Sequence, residues 1–223
     1  EAEEGDRSMT ARPRLMAYGR VLELDSCWRL AADVYETVAR LCGSEGERVE
    51  AQDAAAAFIR LGECRRQEAR WNEAHVAFHA AARHALAVGD MATELRARCL
   101  DATVTSERGN LPKADAQLRR AARDARAAGL KDAFALAMHG RAHVAYQRKR
   151  YESAVRFAFR ALRGLRDQLA RDRALADVAT SFAELGVRQA ARDAQLILAA
   201  TTQDPLVRGA ALVNLMELAG LDR

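Results

Sequence analysis

Two histidine pairs stand out for their spacing: His75 with His79, and His139 with His143. Four residues are about one helical turn, so each pair can present two imidazoles to one metal ion. Zinc usually takes more ligands, and neither pair has a cysteine or an acidic cluster arranged beside it in the sequence. No metal and no cofactor are therefore expected. Cys27, Cys42, Cys64 and Cys99 show no paired spacing and read as small apolar filling in a reducing compartment. The chain has no Gly-rich phosphate loop, HExxH, CxxC or GxSxG, so catalysis is not expected.

A third pattern is cationic. Arg156, Arg160 and Arg163 fall on one helical stripe, with Arg148, Lys149 and Arg150 at the turn before it. Residues 141–173 carry 10 basic against 3 acidic side chains, whereas residues 1–53 carry 7 basic against 12 acidic, so the net charge of +4 hides a polar distribution. A solvated Arg-rich face is the plain reading. Binding to nucleic acid or another polyanion is the alternative, weakened by the scarcity of neighbouring aromatics, only Tyr146 and Tyr151.

The elements that must position these residues are helices. Half of the 223 residues are hydrophobic, roughly a fifth are Ala, only 3 are Pro, and β-branched and aromatic residues are sparse. The chain is expected to be all-α. No apolar run is long enough to span a bilayer, and the acidic start, EAEEGDRSM, is unlike a secretory signal. A cytoplasmic location without membrane insertion is expected. The 32 Arg against 3 Lys, together with the Ala content, suggest a GC-rich bacterial genome.

A repeat organises the helices. Ala74-x3-Phe78-x2-Ala81 is matched by Ala31-x3-Tyr35-x2-Val38 and Ala114-x3-Leu118-x2-Ala121, then more weakly by Ala154-x3-Ala158-x2-Ala161 and Ala190-x3-Ala194-x2-Ile197. Breaks at Asp25-Ser26, Arg70, Gly109-Asn110-Leu111-Pro112, Lys149-Arg150 and Gly186 precede the copies. Gly43-Ser44-Glu45-Gly46, Gly89-Asp90 and Gly129-Leu130-Lys131-Asp132 separate them. Each unit is thus helix, turn, helix, turn.

Phe58, Leu61-Gly62, Ala74, Phe78 and Ala81 together resemble the tetratricopeptide repeat (TPR) family. Phe58 stands where Trp is usual, Arg65 where Tyr is usual and Leu86 where Pro is usual. A period near 40 resembles the long-helix variant of kinesin light chains and of bacterial regulators. The resemblance implies a right-handed α-solenoid of about five helix pairs plus a terminal helix near Pro205–Gly220, some 11 helices in all. A flexible acidic segment would occupy residues 1–9 and a single solenoid residues 10–223. The chain would be an excised region of a larger protein, such as a regulator's sensing or assembly region.

By the family's geometry, first helices line a concave groove that takes a peptide or protein partner. That groove would offer Arg20, Glu63, Arg66, Gln67, Arg96, Thr103, Glu107, His139, His143 and Tyr146, with Thr180 further along. His75 and His79 would face outward. Self-association through the apolar last helix is a further reading, and the oligomeric state is left open.

Overall fold

The computed structural model describes residues 2–42 and 48–220, with side chains from Ala11 onward. Among these residues there are eleven α-helices and no strand. They are α1 (Ala2–Leu24), α2 (Trp28–Leu41), α3 (Arg48–Gln67), α4 (Trp71–Ala87), α5 (Met91–Glu107), α6 (Leu111–Ala127), α7 (Lys131–Gln147), α8 (Tyr151–Leu162), α9 (Gln168–Glu184), α10 (Arg188–Thr201) and α11 (Pro205–Gly220). Residues 2–9, expected as a flexible acidic segment, fall within the bounds of α1, and their side chains lie outside the described residues. So does the Gly43–Gly46 separator.

Two compact units divide the chain, Glu1–Arg108 and Gly109–Arg223. In the first, α3 touches both α1 and α5, and these three form one layer while α2 and α4 form the other. In the second, α9 touches α7 and α11, while α6, α8 and α10 pack on the opposite side. Each helix also packs on the next within its unit, as expected of stacked hairpins whose single helices cannot bury an apolar face alone.

Local chemistry explains the turns. Ser26, Ala69, Gly109, Lys149 and Gly186 end the odd-numbered helices α1, α3, α5, α7 and α9 in the left-handed region, with φ of 57, 57, 84, 57 and 73°. Most of these ends close by the Schellman pattern. Cys27 N–H donates to Leu22 O (2.8 Å), Arg70 N–H to Arg65 O (2.8 Å) and Arg150 N–H to Ala145 O (2.9 Å). Asp90, Asn110 and Asp167 then start α5, α6 and α9 by accepting a bond from the backbone N–H three residues on. Pro112 sits in the first turn of α6, where its missing N–H leaves nothing unpaired.

Four of the repeat copies are wholly internal: Ala31, Tyr35 and Val38; Ala74, Phe78 and Ala81; Ala114, Leu118 and Ala121; Ala154, Ala158 and Ala161. The fifth lies one residue later than the sequence spacing implies. Ala191, Gln195 and Leu198 are buried, while Ile197 is 54% exposed. Gly186 fixes this register, because α10 starts two residues after it, just as α4 starts two residues after Ala69. In the last helix Ala211 is the buried residue, and Ala210 is exposed.

In the first unit, the residue sixteen positions before each large internal ring is glycine. A Cβ on Gly19 would lie 2.6 Å from the Tyr35 ring, and one on Gly62 2.6 Å from the ring of Phe78. In the second unit Ala142 and Ala158 stand in this relation, and Val178 completes their cluster.

Arg65, at the position where the family resemblance places Tyr, is only 7% exposed. Its guanidinium lies 3.1 Å from Glu68, 3.4 Å from Glu73, 3.7 Å from Glu36 and 3.8 Å from Asp33. It thereby ties α3 to α2 and α4 with ion pairs instead of an aromatic ring.

Candidate functional site

In the first unit, α3 and α5 carry most of the residues expected to meet a partner. Arg66 donates from Nη1 to Glu107 Oε1 (2.8 Å) and from Nη2 to Glu63 Oε2 (3.1 Å). Burial alone would lower the Arg66 pKa, but the Glu63 and Glu107 carboxylates outweigh it and hold the guanidinium above its ordinary value. Three of the expected contact residues are therefore paired with one another across two helices, while the buried Arg66 Nε and Glu107 Oε2 have no hydrogen-bond partner among the described residues. Thr103 donates its hydroxyl to Cys99 O (3.2 Å). Arg20, Gln67 and Arg96 are exposed.

In the second unit, His139 Nε2 on α7 lies 3.1 Å from Asp177 Oδ2 on α9. The Gln147 amide donates to His143 Nε2 (2.8 Å). Tyr146 packs at a tilt on Tyr151, their ring centroids 5.5 Å apart. Burial, then the Glu184 and Asp177 carboxylates, push the Tyr146 phenol above its ordinary pKa.

Tyr146 also borders a cleft of about 230 Å³ formed by α7, α9, α10 and α11. Thr180, Glu184, Gln195, Asn214 and Glu217 supply its polar wall, and Ala179, Ala183 and Leu218 its apolar one. Gln195 is 2% exposed, and its Oε1 has no hydrogen-bond partner among the described residues. Tyr146 and Thr180 are legible as surface candidates in the sequence. Glu184, Gln195, Asn214 and Glu217 are not. The one signal is a polar Gln195 interrupting the fifth repeat copy, and it is visible only once the register is correct.

The basic residues are dispersed in their roles. Arg148 Nη1 reaches Asp115 Oδ2 at 4.0 Å, and Arg141 Nε donates to the same carboxylate at 3.1 Å. Arg156 pairs with Glu152 at 3.8 Å but remains 72% exposed at its side chain. Lys149, Arg150, Arg160 and Arg163 are exposed.

His75 and His79 sit on the solvent side of α4, as expected, but they are not isolated. Asp101 of α5 lies against both, 2.5 Å from His75 Nδ1 and 3.5 Å from His79 Nε2. A carboxylate that the sequence spacing does not place there thus accompanies the pair. Asp101 is 26 residues from His75 in the chain, and only the packing of α4 on α5 joins them.

Comparison with solved structures agrees with this architecture. BtubC (BKLC) from P. vanneervenii is similar over 93% of this chain and 89% of that one, with a TM-score of 0.58 and 12% identity. The fold is a TPR-like helical repeat. A putative kinesin light chain of nearly identical TPR-like repeats from Podosopora anserina is similar over 84% of this chain and 93% of its own, with a TM-score of 0.55 and 14% identity. A point variant of that protein gives a TM-score of 0.57 at the same identity, over 84% of this chain and 92% of its own. No family model matches the chain, and no curated protein matches it by sequence. At 12–14% identity the likeness is one of fold.

Proposed function

We propose that the protein is a non-enzymatic interaction scaffold that holds a peptide segment of a protein partner against α7, α9 and α11. The observation that supports this most is the cleft beside Tyr146. It combines two carboxylates, Glu184 and Glu217, with the side-chain amides of Gln195 and Asn214 and an apolar floor. Such a wall suits a donor-rich, positively charged side chain with an aliphatic stem, so the preferred peptides carry Lys or Arg. A TPR-like fold is compatible with this use without specifying it.

Selection of a displayed random peptide library on the full chain tests the reading. Enrichment of Lys- or Arg-containing peptides is expected, with affinity falling about tenfold in Glu184→Gln or Glu217→Gln, as the loss of one charge-assisted contact implies. Failure to enrich any sequence, or enrichment indifferent to both variants, overturns it. Selection of acidic ligands whose binding collapses with salt and with Arg156→Ala, Arg160→Ala and Arg163→Ala would favour polyanion binding through the exposed arginines instead.

A further inference from the structure

His75 and His79 occupy successive turns of α4, their rings in edge contact with centroids 4.3 Å apart. Facing them from α5 is the carboxylate of Asp101, a residue only 6% exposed. One carboxylate oxygen meets each imidazole: Oδ1 meets His75 Nδ1 at 2.5 Å and Oδ2 meets His79 Nε2 at 3.5 Å. One ligand atom from each of the three residues lies within 4.8 Å of the other two. A tetrahedral zinc ion with bonds of about 2.1 Å holds its ligand atoms about 3.4 Å apart, so small side-chain rotations suffice to gather these three.

The three residues differ in exposure, and the difference suits an ion arriving from water. Asp101 is fixed at the base by the packing of α5, and the Thr105 hydroxyl donates to its backbone carbonyl at 3.2 Å. The imidazoles form the open side, with side-chain exposures of 44% for His75 and 61% for His79. An ion can enter from solvent without opening the core, and water can complete its shell. Two imidazoles and one carboxylate form a donor set of the kind preferred by borderline divalent metals.

We propose that His75, His79 and Asp101 bind a divalent first-row transition ion, with Zn²⁺ as the representative, which clamps α4 to α5. The site is separate from the cleft beside Tyr146 and does not depend on the function proposed for it.

The test is calorimetric titration of the chelator-treated full chain with Zn²⁺, alongside Co²⁺ titration followed by visible absorption. One ion per chain is expected, with d–d bands of a nitrogen- and oxygen-ligated cobalt centre and a rise in melting temperature on adding Zn²⁺. His79→Ala, which alters an exposed side chain, and His75→Ala should each weaken binding at least about tenfold. The double variant His139→Gln with His143→Gln should bind as the parent does. Binding that survives loss of His79, binding that requires His139 or His143, or a thiolate-to-cobalt charge-transfer band would each overturn the assignment. So would the absence of any saturable heat and spectral change in the folded parent.

Discussion

Gly62 lies directly under the ring of Phe78, so close that a Cβ at residue 62 would stand 2.6 Å from Cε1 of the ring. The two helices can approach this closely only because one side contributes no side chain. Gly62→Ala should therefore destabilise the chain by about 1–3 kcal/mol, the usual cost of overpacking a filled interior. Urea unfolding measures it, and Phe78→Leu in the same chain should recover part of the loss by making room. An unchanged midpoint in Gly62→Ala would contradict so tight a fit.

Arg65→Met should also lower stability, by about 1–3 kcal/mol, because it takes the shared cation from Asp33 and Glu36 and leaves Glu68 and Glu73 with Arg70 alone. Much of that penalty is repulsion among partly exposed carboxylates, so added salt should shrink the difference between variant and parent. A salt-independent loss would instead point to the lost packing of the arginine stem.

The thiols should separate into two classes. Burial pushes Cys64 and Cys99 up to about 12, and it raises Cys42 as well, partly offset by the Arg12 guanidinium. At pH 8 a thiol with a pKa near 12 is thiolate in only about one molecule in ten thousand. Cys27 is partly exposed and should react with a disulfide reagent first. The other three should react only as the chain opens, and denaturant should release all of them at once. Fast labelling of more than one thiol in the folded chain would be inconsistent with this burial.

Gln195→Met should stabilise the fifth repeat by about 1 kcal/mol, since it replaces a buried carbonyl oxygen that lacks a partner with an apolar group of similar shape. The same change should weaken peptides that use the cleft beside Tyr146. A gain in stability with unaltered peptide binding would assign Gln195 to packing alone.

Much of the fold is legible because small and large residues recur at one period. Ala31, Ala74, Ala114 and Ala154 announce their helices, and all four are buried. The fifth copy is misaligned by spacing alone because Ala190 and Ala191 are adjacent and alanine can serve either face. Gly186, at the end of α9, is the stronger marker. The candidate sites are much less legible. Glu63, Arg66 and Glu107 are visible as polar residues on first helices, but their mutual pairing depends on the distance between α3 and α5. Asp101 is hidden for the same reason: helical spacing reports neighbours on one helix, and its partners are on another.

The sixteen-residue relation between Gly19 and Tyr35, and between Gly62 and Phe78, bears on how such a chain can diversify. A duplication that copies both members of a pair produces a new unit that fits at once. A crossover falling between them joins a bulky ring to a residue that already has a side chain, or leaves two small residues facing a void. Recombination is thus penalised between the members of such a pair, within the α1–α2 and α3–α4 hairpins and also between α6 and α7, where a Cβ on Gly140 would lie 2.7 Å from the Leu118 side chain.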